Sequence, residues 1–456
     1  MRVLSAKNGY IKNLIDEQKI NTNIKHRPFK YISTVEVDDG MILLNNLTDE
    51  SIFLDSKENQ TFLQLTDFTN ETLQYLVKNY FLVPEDFDDL TFSKNVEDTI
   101  SLIYRSYRKR PIDSFTIFPT TDCNARCFYC YQHGCEFITM SQETAEDVAD
   151  YILKNKADKE LLLRWFGGEP LYNSIAIDII TEKLIENGIP FKSIMTTNGY
   201  LFDSDMIEKA KNKWNLTRVQ ITLDGTEEIY NKVKAYIYAD GTSAYKRVID
   251  NIEKLLQNDI IVNVRMNMDE HNVKDLFILT DEILKRYKKY DNFYAYVHLL
   301  YSNSCDEMKN RSEEKEEYLR TKCDELLAII RAEGKNKTRN FEDYTFLNVV
   351  NHCMADTDSS VMILPDGKLG KCEHYLEDHH IGTIHDDKID LDNINWFKTL
   401  TTICAKCDDC ELRSRCRTLK YCHSTRKKCS ETEKRRIKDS ISNKLIELYQ
   451  HKKDEV

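Results

Sequence analysis

Thr121-Asp122-Cys123-Asn124-Ala125-Arg126-Cys127-Phe128-Tyr129-Cys130 is the stretch that decides how this chain is read. Its C-x3-C-x2-C spacing puts three thiolates on one short loop. Three thiolates can hold a [4Fe–4S] cluster by three of its irons and leave the fourth open to a small molecule; an electron-transfer cluster normally has four protein ligands. The alternative is a structural zinc loop, although zinc sites usually pair C-x2-C units and take four ligands. Directly upstream, Ser114–Thr121 reads as a strand. The loop therefore follows a strand end, where α/β barrels keep their reactive centres.

Outward from this loop the pattern is regular. Strands are expected at Ser114–Thr121, Leu161–Gly168, Lys192–Gly199, Arg218–Gly225, Ile260–Asp269 and Asn292–Leu300. Helical patterns fill the gaps at Ser141–Lys156, Asn173–Gly188, Asp203–Lys213, Ser243–Asp259 and Asn272–Lys289, with Ser141, Asn173 and Asp203 as cap residues. Six β/α units with strands rich in Ile, Val, Leu and Phe argue for an α/β fold with a parallel sheet. Right-handed crossovers would curl six such units into an open partial barrel.

The cysteine spacing in this position, with Tyr129 just before the third cysteine, resembles the radical S-adenosylmethionine (radical SAM) enzymes. The resemblance implies a partial (β/α)6 TIM-like barrel over residues 101–305. It implies that Cys123, Cys127 and Cys130 ligate a [4Fe–4S] cluster whose open iron binds SAM. An electron from a donor such as flavodoxin or ferredoxin would then split SAM into methionine and a 5′-deoxyadenosyl radical. The second strand ends in Gly167-Gly168-Glu169-Pro170, similar to the family segment that contacts the SAM amino group. Thr197 and Asn198 end the third strand and Asp224 the fourth; both ends look like segments facing SAM, and both also read as ordinary turn chemistry. Relatives often carry an arginine near the SAM carboxylate where this chain has Lys234, which keeps the charge but loses the bidentate fork. Arg265 and Asn267 on the fifth strand share one face, so Arg265 either meets an anion inside the barrel or makes a rim salt bridge.

Beyond residue 350 stand Cys353, Cys372, Cys404, Cys407, Cys410, Cys416, Cys422 and Cys429, with a hairpin expected at Leu364-Pro-Asp-Gly367 before Cys372. This layout resembles the SPASM extension of radical SAM enzymes over residues 346–456 and implies two auxiliary [4Fe–4S] clusters. By that resemblance Cys407, Cys410, Cys416 and Cys429 hold one, and Cys353, Cys372 and Cys422 the other; Cys404 either completes the second or is a free thiol. Glu373 stands where sulfatase-maturating relatives carry a candidate proton acceptor; its plain reading is a surface carboxylate. Cys135, Cys305 and Cys323 fall outside these patterns and read as packing or surface residues.

Residues 1–100 carry no cysteine. Two apolar runs, Tyr31–Val37 and Met41–Leu47, flank the hairpin signal Asp38-Asp39-Gly40, and Glu50–Asp55 and a helical stretch at Asn70–Asn79 follow. Small strands followed by helices resemble the winged-helix-like domains that bind precursor peptides; a generic extension packed on the barrel is the other reading. Residues 306–345 read as a charged helical bridge.

The 456 residues are 41% hydrophobic and 31% charged, enough for more than one core. The net charge of −12 argues against a general nucleic-acid binder. No run approaches the ~18 apolar residues of a membrane helix, and the start lacks a secretory pattern. Fourteen cysteines without such a signal point to cluster or metal ligation in a reducing cytoplasm. The expected function is a radical SAM peptide maturase that modifies a ribosomally made precursor, with thioether formation as the specific reaction. A sulfatase-type maturase making formylglycine, and a non-catalytic zinc-ligated interaction protein, are the alternatives.

Overall fold

The computed structural model describes residues 1–6, 13–16, 18, 24–105, 109–237, 242–300, 311–335, 353–398, 405–416 and 431–454. They gather into two units that are not consecutive in sequence. One combines Met1–Ser106, Arg339–Asp356 and Lys398–Val456; the other combines Tyr107–Thr338 and Thr357–Phe397.

The second unit is built on a nine-stranded sheet. Its strands are β1 (Ser114–Ile117), β2 (Leu161–Trp165), β3 (Phe191–Thr197), β4 (Leu216–Thr222), β5 (Ile261–Met268), β6 (Phe293–Leu299), β7 (Ser360–Ile363), β8 (Lys368–Gly370) and β9 (Gly382–Thr383). Their order in space is β6-β5-β4-β3-β2-β1-β7-β8-β9. Strands β1 to β6 are all parallel and neighbour one another in chain order, as the βα alternation requires. The far edge of β1 is taken by β7, also in parallel, so β6 does not close a ring on β1. Residues 360–370 form the expected hairpin and, with β9, add three strands to this sheet.

Helices Gln142–Asn155, Ser174–Glu186, Ser204–Asn212, Ala244–Gln257 and Val273–Tyr287 connect the parallel strands, within a residue or two of expectation. Ser141 and Asp203 cap their helices through the amides of Thr144 and Met206, at 3.0 and 2.9 Å. Asn173 does not cap: its amide donates to the Pro119 and Met140 carbonyls at 2.9 and 3.0 Å and ties down the loop after β1. A helix not expected from sequence, Glu227–Lys234, follows β4.

Alternation along the strands separates two faces. Leu163, Trp165, Val219, Ile221, Val262 and Val264 are fully buried against helix residues such as Val148, Ile152 and Ile177. Each such side chain contributes roughly 1.5–3 kcal/mol on burial. The opposite, inner face presents Arg164, Arg218, Gln220, Asn263 and Arg265, none of them buried. The charged helix Glu313–Ala332 packs Leu319, Cys323, Leu326 and Ile330 into the same core, and the Cys323 thiol lies 3.4 Å from the Met268 sulfur.

The first unit holds a four-stranded antiparallel sheet in the order Arg2–Ser5, Ser51–Asp55, Gly40–Asn45, Ile32–Val37. Helices Ser56–Gln64, Asn70–Lys78 and Asp89–Arg105 follow it in the chain. Asp55 and Glu58 form a capping box at the first of these. The long helix Glu431–Asp454 returns to this sheet, where Ile437, Ile441, Leu445 and Tyr449 share a core with Leu4, Val35, Ile42 and Leu44. Leu412, from the cysteine-bearing segment 405–416, is buried in that core. Among the described residues no helix is long and apolar enough to cross a membrane.

Candidate active site

The strand ends of the second unit converge on the loop bearing Cys123, Cys127 and Cys130. Gly167 and Gly168, just past β2, lie against this loop's backbone. The Gly168 amide donates to the Thr120 carbonyl at 3.1 Å and the Glu169 amide to the Asp122 carbonyl at 2.9 Å. A Cβ on Gly167 or Gly168 would stand 2.2 or 2.1 Å from those carbonyl oxygens, so only glycine permits the approach. Gly167 also has φ +125°, a conformation that side-chain-bearing residues avoid.

This zipper carries Glu169 into the interior, with Pro170 opening a short 3₁₀ turn behind it. The Glu169 carboxylate is completely buried and accepts from Thr197 Oγ1 at 2.8 and 3.0 Å, the Asn198 amide at 2.8 Å and the Leu171 amide at 3.2 Å. Burial pushes its pKa up to about 7, although those donors pull the other way. Asn198 Nδ2 reaches Asn124 Oδ1 at 2.5 Å and the Cys123 sulfur at 3.8 Å.

On the other side of the loop, Lys234 and Asp224 form an ion pair of 2.8 Å with side chains only 2% and 1% exposed. The ammonium also donates to Tyr129 Oη at 3.1 Å and Thr222 Oγ1 at 2.6 Å, which occupies all three of its donors within the protein. Burial works against its charge, but Asp224 and the nearby Cys127 and tyrosines hold its pKa well above the usual lysine value. Tyr129 in turn donates to Asp224 Oδ2 at 2.8 Å. Asn267 Nδ2 donates to Asp224 Oδ1 at 3.0 Å and to Tyr129 Oη at 3.2 Å, while its Oδ1 accepts from Arg265 Nε at 2.9 Å. The backbone completes the clamp: the Arg126 amide donates to the Lys234 carbonyl at 2.8 Å. The structure thus joins Tyr129, Asp224, Lys234 and Arg265 in one network around the cysteine loop. Asn267 and Thr222 are the partners that make it one, and strand alternation was the only sequence signal for them.

Burial, with the Glu169 carboxylate nearby, pushes the Cys123 thiol up to about 12, and burial raises Cys127 and Cys130 as well. Thiolates there need a compensating positive group, so ligand binding and thiol deprotonation are coupled. Two further atoms at this loop are buried without a hydrogen-bond partner, Asn124 Nδ2 and Gln132 Oε1. Three cysteines, an enclosed carboxylate and unused polar atoms are a donor set that fits a cluster with an amino-acid-bearing ligand. Among the described residues no three His, Cys, Asp or Glu side chains gather as one metal ion would require.

Tyr131 was not singled out by sequence, and His374 read only as a loop residue. Their rings lie 4.4 Å apart, which brings the loop after β8 to the cysteine loop. Cys372 and Glu373 belong to that loop, and both lie in electrostatic range of Tyr131. Cys353 lies in the first unit. So do Cys407, Cys410 and Cys416, where the Arg413 and Arg415 side chains between them are wholly buried. Arg413 bonds Glu97 at 2.9–3.2 Å and Asp408 at 2.6 Å, and Arg415 pairs with Asp49. Cys404, Cys422 and Cys429 lie outside the described residues.

Comparison with known proteins gives the class. Residues 117–277 match the Radical SAM superfamily. The chain therefore carries a radical SAM domain, a family that implies a [4Fe–4S] cluster binding SAM. It is 30% identical over 171 residues to a GTP 3′,8-cyclase of Rhodopirellula baltica, covering 36% of this chain and 44% of that relative. It is 25% identical over 313 residues to the radical SAM cyclopropyl synthase TigE of Paramaledivibacter caminithermalis, covering 58% of this chain and 64% of that one. The chain thus spans less than two thirds of either relative. Among solved structures it resembles anSMEcpe with bound AdoMet (16% identity, TM-score 0.56, 75% of this chain and 98% of that one). It also resembles Streptococcus suis SuiB bound to precursor peptide SuiA (15% identity, TM-score 0.51, 86% and 95%). At such identities the likeness is one of fold.

Proposed function

We propose that this protein is a radical SAM maturase acting on a ribosomally made peptide, in which it joins a cysteine sulfur to a carbon. The observation that carries the reading is the fold likeness to the SuiB–SuiA complex, which reaches over 86% of the chain and so extends beyond the radical SAM domain. The N-terminal residues would supply recognition of the precursor. The cysteines of segment 405–416, with Cys429, would hold one auxiliary cluster, and Cys353, Cys372 and Cys422 would serve another. A flavodoxin or ferredoxin in the cytoplasm would supply the electron.

Cys123, Cys127 and Cys130 would hold the [4Fe–4S] cluster, which with SAM supplies a radical able to remove a hydrogen atom from carbon. The work of the remaining residues follows from their geometry. Glu169, oriented by Thr197, Asn198 and Leu171, offers a desolvated carboxylate to the SAM ammonium, and the contact would drive it to its charged form. Lys234 and Asp224 keep Tyr129, and with it the Cys127–Cys130 turn, in one position. A carboxylate seeking Lys234 would have to displace one of its three partners, so positioning suits that residue better than ligand binding. Glu373 is the proposed acceptor of the thiol proton; the carbon's hydrogen atom would go to the radical and the remaining electron to an auxiliary cluster.

The test is to incubate anaerobically reconstituted enzyme, SAM and dithionite with a peptide encoded beside the gene. Loss of two hydrogen atoms and a blocked thiol are expected; an unchanged mass overturns the reading. Formylglycine in the product would favour the sulfatase-type alternative. Zinc without iron or sulfide would favour the non-catalytic one. The relatives named GTP 3′,8-cyclase motivate a parallel assay with GTP, in which turnover would replace the peptide by a nucleotide.

A further inference from the structure

The inner face of the parallel sheet carries an electrostatic imbalance of which the network around the cysteines uses only Arg265. Arg164 on β2, Arg218 on β4 and Arg265 on β5 all point away from the helix-covered core, because their chain neighbours Leu163, Val219 and Val264 are buried in it. The residues alternating with that core on β2 to β6 include no acid. None of the three arginines has a carboxylate within ion-pair distance among the described residues. Arg164 donates only to Ser114 Oγ at 3.3 Å, and Arg265 only to Asn267 through Nε. Arg218 Nε is shut off from solvent and has no hydrogen-bond partner among the described residues.

The register places two of these charges in one row. Arg164 and Arg218 are both partners of Ile194 on β3 and so flank it. Two inter-strand spacings separate their backbones, about 10 Å. Long stems from either side can bring both guanidinium groups to a group lying over Ile194. Arg265 pairs with Thr222, four residues beyond Arg218 on β4, roughly 13 Å nearer the cysteine loop. Glu373 lies in electrostatic range of Arg164, and His374 in range of Arg265.

We propose that Arg164 and Arg218, flanking Ile194 on the inner face of the sheet, bind an oxyanion carried by the substrate. Arg265 marks the path from that anchor to the cysteine loop. A carboxylate and a phosphate share the required chemistry, since each accepts two parallel N–H donors from a guanidinium. Because the anchor sits in the sheet below the strand ends, the anion would lie on a different part of the substrate from the reacting carbon. The proposal deepens the function given above by assigning the substrate a charge, and it is tested without turnover, so its failure leaves that function standing.

The experiment titrates the anaerobically reconstituted full chain with glutarate and, separately, with inorganic phosphate at low ionic strength, by calorimetry. Saturable binding of one anion per chain is expected, weakened at least about tenfold by the double substitution Arg164→Gln and Arg218→Gln. Saturation by glutarate alone supports a carboxylate on the substrate; saturation by phosphate supports a phosphate ester. Should the double variant fold poorly, the unaltered protein is treated with butanedione and its peptides are mapped by mass. The bound anion should then slow modification of Arg164 and Arg218 by a similar factor. Absence of saturable binding, or binding indifferent to the substitutions and unaccompanied by protection, overturns the proposal.

Discussion

The chain contains two cysteine loops of related spacing, 123–130 and 407–416, and they are held in place by different means. The first is clamped largely by backbone: the Gly168 and Glu169 amides on one side and the Lys234 carbonyl on the other. Its buried charges, Glu169 and Asp224 after strands and Lys234 at a helix end, surround it. The second is anchored by its own side chains. Arg413 and Arg415 plunge from between the cysteines to Glu97 and Asp49, Tyr31 donates to the Asp408 carbonyl at 2.9 Å, and Asn46 to the Glu411 carbonyl at 3.0 Å. One loop keeps polar atoms unused, Asn124 Nδ2 and Gln132 Oε1; the other spends its arginines on attachment. The first is arranged to receive a ligand, the second to join the C-terminal segment to the N-terminal sheet.

The sharpest way to break this contrast is to remove one thiol from each loop. Cys127→Ala should abolish 5′-deoxyadenosine formation from SAM under dithionite. Cys410→Ala should lower iron by about four atoms per chain and depress substrate modification more than SAM cleavage. Equal loss of SAM cleavage in both would erase the distinction.

Gly168→Ala tests the backbone clamp alone, since the new Cβ would meet the Asp122 carbonyl oxygen at 2.1 Å. Iron bound after reconstitution should fall by about four atoms per chain, with segment 405–416 keeping its share.

Arg413→Met tests the side-chain anchor. It leaves Glu97 and Asp408 without their guanidinium and should cost about 3–5 kcal/mol, read as a lowered denaturation midpoint of the first unit. Lys234→Met, which leaves Asp224 charged and buried, should cost a similar amount in the second unit. A variant that destabilised neither would show these pairs to be passive.

The smallest effect is a pH dependence. The Glu169 pKa is raised by folding from 4.5 to about 7, so its contribution to stability is full below pH 4.5 and is lost as pH rises through about 7. The cluster-free protein should lose up to about 3 kcal/mol across that window, and Glu169→Gln should flatten the loss. Denaturation midpoints at pH 5 and pH 8 decide it.

Much of the second unit could be read in advance because its signals are local. Period-two alternation over Arg218–Thr222 and Ile261–Met268, and capping serine and aspartate at 141 and 203, each depend on residues a few positions apart. The triplet of cysteines and the Gly-Gly-Glu turn were legible for the same reason: each is a short loop whose spacing limits its chemistry. The helix Glu227–Lys234 was passed over, since its stretch was read only for the lysine it carries. Asn173 has the composition of a cap, yet its amide is drawn to the carbonyls of another loop.

Sequence by itself determined that three thiols, two glycines and a carboxylate stand at successive strand ends of a βα repeat, because spacing and periodicity are properties of neighbouring residues. Tertiary structure alone decided that Lys234 is consumed by Asp224, Tyr129 and Thr222, that Arg413 reaches Glu97 across more than three hundred residues, and that Arg164 and Arg218 flank Ile194 with no acid between them. Those facts depend on which distant groups share a low-dielectric interior, where a charge must find a partner or bring one in.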